Sequence, residues 1–194
     1  MTGGLERQPT NELELVARVV RGDAAALGAT YDAHHHVVRA FARRLTGSDA
    51  AAEDLVHDVF VALPSALRGF EGRSSLRTFL LSVAVNHARN ARRATARRLS
   101  AMERLHAEPD HRHTETPEEE RERRELAEML SRELDELPMD QRVVVVLCVL
   151  EERTSGEAAE IVGVPEATVR TRLFYARRKL REGLERRMSK EARV

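Results

Sequence analysis

Residues 154–180, TSGEAAEIVGVPEATVRTRLFYARRKL, constrain the fold more than any other stretch. Thr154 and Glu157 have the spacing of a capping box, in which a hydroxyl takes one orphan amide at a helix start and a carboxylate reaches back to another. Ala158, Ala159, Ile161 and Val162 then face inward, and Ala159 is small enough for a second helix to cross close by. Gly163 suits the left-handed turn that ends a helix, and Pro165 the first position of the next. In that next helix Val169, Leu173, Ala176 and Leu180 form one apolar stripe. The segment therefore predicts a helix-turn-helix.

On a wheel of roughly 100° per residue, Ala167, Thr171, Phe174 and Arg178 fall opposite the stripe, with Tyr175 close by. Arg170 and Arg177 flank one side of that face, and Arg172 and Lys179 the other. A helix laid in a DNA major groove needs this arrangement: base-reading groups on the inserted face and phosphate-holding cations beside it. A solvated basic helix has the same pattern, and the spacing also occurs in helical hairpins that bind nothing.

The chain has no Trp, and Ala, Leu, Arg and Glu dominate, so helix is favoured over sheet. The single cysteine, Cys148, excludes an intramolecular disulfide and a cysteine-based zinc site, and its apolar setting predicts a reduced thiol in a cytoplasmic protein. The N-terminus lacks the apolar core of a signal peptide. The longest apolar run, Val143–Leu150, is far short of the roughly 20 residues needed to span a bilayer, so no membrane insertion is expected. Net charge is zero, yet residues 73–98 carry seven Arg and no acid, residues 99–137 are net −7 and residues 165–190 net +6. Two basic blocks separated by an acidic bridge predict two contacts with a polyanion.

The first half reads as four helices. They cover roughly Asn11–Arg21, Ala24–Leu45, Ala50–Leu67 (capped by Ser48 or Asp49) and a long helix from Ser74 or Ser75 to Arg98. The second helix has the stripe Leu27, Tyr31, His34, Val38, Phe41 and Leu45. In the third, Ala52, Leu55, Val56, Val59 and Leu63 are inward, Glu53, Asp54, His57 and Asp58 outward, and Pro64 is a possible kink. In the fourth, Leu76, Phe79, Leu80 and Val83 are the expected core, and Arg77, Asn86, Arg89, Asn90 and Arg93 the accessible face. Residues 99–117 lose periodicity and read as an acidic flexible linker. The second domain, 118–190, begins with a charged helix to Glu136, followed by Met139–Glu152. VVVVLCVL within the latter has strand preference, but Pro138 offers a helix start and no partner strand is available. This run serves either as core or as a sticky patch for an inhibitory partner. His34-His35-His36 point about 100° apart on a helix and cannot all face one metal; His111 and His113 are weaker ligands still. No metal, cofactor, catalytic group or small-molecule site is expected.

AAEDLVHDVFVAL (51–63), FEGRSSLRTFLLSVAVNHARN (70–90), LPMDQR (137–142) and the helix-turn-helix occur in the order and spacing of bacterial sigma factors. The chain resembles their small extracytoplasmic-function group over about residues 11–98 and 120–187. The resemblance implies an all-α fold of two small helical domains, 11–98 (region 2) and 118–190 (region 4), joined by a flexible linker. It implies docking of Glu53, Asp54, His57, Asp58 and Phe60 on the clamp coiled coil of core RNA polymerase, with the polymerase flap as a further contact. Phe70, Arg73, Arg77, Asn86, Arg89, Asn90 and Arg93 would hold the promoter −10 strand, Asn86 contacting an extruded base and Arg89, Arg92 and Arg93 holding phosphates. Thr168, Arg170, Thr171, Arg172, Phe174, Tyr175, Arg177 and Arg178 would read the −35 duplex. An anti-sigma factor is implied as a partner.

This chain departs from the family pattern at Phe79, where Trp is common, at His57 and Asp58, where Gln and Glu are common, and at Tyr175, where a basic residue is frequent. The alternative is a stand-alone helix-turn-helix regulator with a protein-interaction N-terminal half. Two promoter elements about 17 base pairs apart lie roughly 60 Å from one another. Nineteen linker residues reach at most roughly 65 Å stretched and average only about 25 Å relaxed. The free chain is therefore expected to be more compact than the bound one.

Overall fold

The protein is described as a computed structural model covering residues 9–101 and 129–191. Four helices make the first half: α1 (Pro9–Val20), α2 (Ala24–Thr46), α3 (Asp49–Ala66) and α4 (Leu76–Ala101), with a 3-10 turn at Leu67–Gly69 after α3. The second half contains α5 (helical residues 129–136), α6 (Met139–Val145, continued as a π-helical turn over Val146–Leu150), α7 (Ser155–Val162) and α8 (Glu166–Glu191). No strand occurs among the described residues.

The helix ends follow from local chemistry. The Asp23 side chain accepts from the Ala26 amide at 3.1 Å to cap α2, Ser48 accepts from Ala51 at 3.4 Å to cap α3, and Ser75 accepts from Thr78 at 3.2 Å at the head of α4. Pro64 is carried inside the last turn of α3, and the chain then tightens into the 3-10 turn.

One expectation is corrected and two are refined. The N-terminal half of α2 buries Ala26 and Thr30, whereas Tyr31 is 41% exposed. Small residues let α2 approach its neighbours, and the Thr30 hydroxyl is satisfied by donating to the Ala26 carbonyl at 2.8 Å. Helix α4 runs to Ala101, so the start of the expected linker is helical. The VVVVLCVL segment is helical, but with a wider turn: the Glu151 amide donates to the Val146 carbonyl, five residues back, at 2.9 Å. The chain leaves this turn through Glu152, whose φ of 53° is unusual for a residue with a side chain. The rest of the linker, His111, His113 and the start of the charged helix lie outside the described residues.

The core runs continuously through both halves. One apolar cluster includes Val38, Phe41 and Leu45 of α2, Val59 and Leu63 of α3, Leu80 and Ala84 of α4, Val143, Val144 and Leu147 of the α6 segment, and Ile161 and Val169 of the helix-turn-helix. The Val143–Leu150 run is therefore mostly core; of its residues Val149 is the most open, at 44%. A smaller cluster of Leu134, Leu137, Val145 and Ala176 joins α5 and α6 to α8. There α8 passes so close to α5 that a side chain at Gly183 would collide with the Glu133 carboxylate. Glu133 is buried and ion-paired with Arg187.

Candidate nucleic-acid interface

The helix-turn-helix is built by the residues that predicted it. The Thr154 hydroxyl accepts from the Glu157 amide at 3.2 Å, and Glu157 accepts from the Thr154 amide at 2.8 Å. Gly163 sits at φ 71° and closes α7 by donating to the Ala159 carbonyl at 2.9 Å. The Thr154 amide and hydroxyl, with Arg153, hold the Glu157 carboxyl below its usual range. A depressed carboxylate contributes stability above its unfolded-state pKa, and that contribution disappears as pH falls through the folded-state value. Thr154→Ala should cost about 1 kcal/mol at neutral pH, read as a lower chemical-denaturation midpoint. The gap from the parent should narrow on acidification, when the parent loses the Glu157 partner as well.

Val169 and Ala176 of α8 are buried, and Leu173 and Leu180 half-buried, as the stripe requires. Arg170, Thr171, Phe174, Tyr175, Arg177 and Arg178 are exposed, Phe174 at 63% and Tyr175 at 48%. The two rings meet edge-on, with centroids 5.5 Å apart. Arg170, Arg177, Arg178 and Arg181 line a groove of about 520 Å³ with Phe174 and Ser155 of α7. Arg170 pairs with Glu166 and Arg178 with Glu182 along the helix surface, each at 3.1 Å. Such pairs are worth only a few tenths of a kcal/mol and yield readily to phosphate. Thr168 is half-buried, and Arg172 pairs with Asp140 of α6.

On α4 and the loop before it, Arg73, Arg77, Asn86, Asn90 and Arg93 are exposed, and Phe70 packs edge-on against Phe79 at 5.0 Å. Phe79 is half-buried, packed on the core and carrying this loop ring. Arg89 was expected to be accessible but is not: its side chain is 16% exposed, and it donates to Asp140 at 2.8 Å and to the Val162 carbonyl at 3.3 Å.

On α3, Glu53, Asp54, His57 and Asp58 are exposed as expected, whereas Phe60 is buried at 7%. Its ring meets Tyr31 edge-on at 4.8 Å. The two aromatics have exchanged the places expected of them: Tyr31 lies at the surface and Phe60 beneath it. Together with Leu27, Val61, Asp54 and His57 they line a groove of about 710 Å³ between α2 and α3. Sequence reasoning missed Leu27, Tyr31 and Val61 there; the aromatic of the α2 stripe standing opposite small residues was the available signal. His34 and His35 are half-buried and His36 is exposed, and no metal-binding group of His, Cys, Asp and Glu occurs among the described residues.

Fold and surface together define an all-α protein of two helical domains, the second containing a helix-turn-helix whose second helix has a cationic outer face with exposed aromatic rings. The Sigma-70 region 2 family matches residues 30–98, and the Sigma-70 region 4 family residues 127–180. The ECF RNA polymerase sigma-E factor of Escherichia coli is 31% identical over 180 residues, 89% of this chain and 93% of that protein. The RNA polymerase sigma-H factor of Pseudomonas aeruginosa is 29% identical over 179 residues, covering 89% and 93%. Among solved structures, CnrH in complex with the cytosolic domain of CnrY superposes with a TM-score of 0.59 at 27% identity, over 90% of this chain and 97% of that one. The sigma factor RpoE of Bartonella quintana, solved with the anti-sigma factor NepR, shares the fold with a TM-score of 0.62 at 23% identity, covering 81% and 96%. The chain belongs to the extracytoplasmic-function sigma factors of RNA polymerase.

Proposed function

We propose that this sigma factor docks on the clamp helices of core RNA polymerase through the α2–α3 groove, opens the −10 element with α4 and reads the −35 duplex with α8. The domains are residues 11–98 and 118–190, the polymerase flap is a further contact for the second, and the work is done in the cytoplasm. Among the described residues no helix is long and apolar enough to cross a membrane. The observation that carries the reading is the outer face of α8, where Phe174 and Tyr175 stand in solvent between Arg170, Arg177 and Arg178. A stand-alone regulator would use that face equally well. The second groove bears Asp54 and His57 beside exposed Tyr31 and Val61, which suits a helical partner with basic side chains, and it lies in the part of the chain that matches Sigma-70 region 2, which favours the sigma-factor reading. An anti-sigma factor, the partner in the solved Bartonella quintana complex, would compete for these surfaces.

Asn86 is the proposed reader of an unstacked base. It is exposed on α4 beside Asn90 and Arg93, and its amide offers a donor and an acceptor to one base edge. Capturing a flipped base offsets part of the few kcal/mol needed to open the duplex. Asn86→Ala should therefore leave closed-complex formation with polymerase intact and reduce strand opening about tenfold or more, measured by permanganate reactivity of the −10 thymines. Unchanged reactivity would remove Asn86 from this role. The general test is in vitro transcription by core polymerase, with and without the chain, on a library of random promoters.

A further inference from the structure

Arg89 belongs to the helix assigned to the −10 element and Arg172 to the helix assigned to the −35 element. They hold the two oxygens of one carboxylate: Arg89 Nε meets Asp140 Oδ1 at 2.8 Å, and Arg172 Nη2 meets Asp140 Oδ2 at 2.9 Å. Asn86, Asn90 and Arg93 border the same cleft. Two promoter elements about 17 base pairs apart are roughly 60 Å from each other. One carboxylate cannot bridge two arginines seated on sites so far apart, so this arrangement excludes engagement of both elements of one promoter.

We propose that the free protein is held in a self-inhibited state in which α6 clasps the first domain, with Asp140 as the latch between the two promoter-binding helices. The proposal rests on the assignment of α4 and α8 to the two elements. Further contacts stand around the latch. Arg44 of α2 pairs with Glu151, Arg142 of α6 donates to the Leu45 carbonyl at 3.1 Å, and Arg92 of α4 donates to the Asp135 carbonyl at 3.4 Å. Beneath them Val143, Val144, Val146 and Leu147 complete the apolar cluster shared with α2 and α4. This buried contact makes the closed state stable without a partner. Its polar layer is imperfect: Arg172 Nη1, Arg142 Nε and Gln141 Oε1 are buried without a hydrogen-bond partner among the described residues. Groups left unsatisfied on closure regain partners on opening, which lowers the cost of release. Arg172 in particular exchanges a half-satisfied pair for a phosphate.

The test uses the full chain and variants outside the DNA-contacting sets. Asp140→Asn removes the latch charge while keeping a side chain of the same size at the head of α6, and Glu151→Gln removes the partner of Arg44. Circular dichroism checks that both retain their helix content. In small-angle X-ray scattering the parent should have a radius of gyration near the roughly 16 Å of a compact chain this long. Asp140→Asn with Glu151→Gln should be several ångströms larger. In transcription on the promoter library at limiting sigma, the double variant should exceed the parent about fivefold, because a ligand sees its site weakened by the fraction of molecules that are closed. A parent already extended in solution overturns the clasp. A double variant that stays compact overturns the latch, and one that opens without gaining activity overturns the self-inhibition. Scattering needs no polymerase, so a chain that polymerase ignores would refute the functional assignment while leaving the clasp to be judged by its dimensions.

Discussion

Replacing both Arg170 and Arg177 by alanine should reduce transcription from promoters that need a −35 box by about thirtyfold or more, since two lost contacts to a base or phosphate at about 1–3 kcal/mol each sum to at least about 2 kcal/mol. Both side chains are exposed on the outer face of α8 and border the groove that contains Phe174. Neither belongs to the buried stripe of Val169 and Ala176, so the helix should keep its packing and the protein its melting temperature. The substitutions also leave the α2–α3 groove untouched, and affinity for core polymerase should be unchanged. If the two cations hold phosphates, the dependence of log affinity on log salt should become shallower by roughly two. Loss of polymerase binding, with promoter preference retained, would mean that this face of α8 is a protein contact and would undo the assignment.

The helix-turn-helix was legible almost atom by atom because its signals are local. Thr154 needs only Glu157, Gly163 only its own backbone, and the stripe from Val169 to Leu180 only its spacing. The acidic face of α3 was legible for the same reason. Misreadings arose where a neighbouring element decides which way a side chain faces. Tyr31 and Thr30 lie one position apart on α2, and helical spacing alone accepts either as inward. The close approach of the packed helices admits the smaller residue and turns the ring out beside Phe60.

Arg89 shows a stronger version of the same limit. Its place on α4 predicts a solvated cation, and only the docking of residues 51 and 73 positions further along reveals Asp140 and the Val162 carbonyl as its partners. The apolar run Val143–Leu150 had two readings in the sequence, core or partner surface. Both describe the same physical need, an apolar face that must be covered, and here the first domain covers it. A released α6 would present that need again, to polymerase or to an inhibitor.

Phe41→Ala should destabilise the protein by about 3–5 kcal/mol, the cost of removing a fully buried ring and leaving a cavity behind it. Phe41 has no exposed surface, and helices α1, α3 and α4 contribute to the cluster around it. Against a total stability of roughly 5–15 kcal/mol, such a loss brings the chain close to its unfolding midpoint in water. The form of the transition is as informative as its size. The cluster containing Phe41 continues without a break through Val144 and Leu147 to Val169 in the second half. If that continuity governs folding, denaturation followed by helix content should stay a single cooperative step, and its midpoint should fall as a whole. Leu147→Ala, in the part of the same cluster that the second half supplies, should lower the same midpoint through a loss of about 2–5 kcal/mol. Two separate steps, with Phe41→Ala moving one and Leu147→Ala the other, would show that the halves fold independently and that the apolar contact between them contributes little to stability.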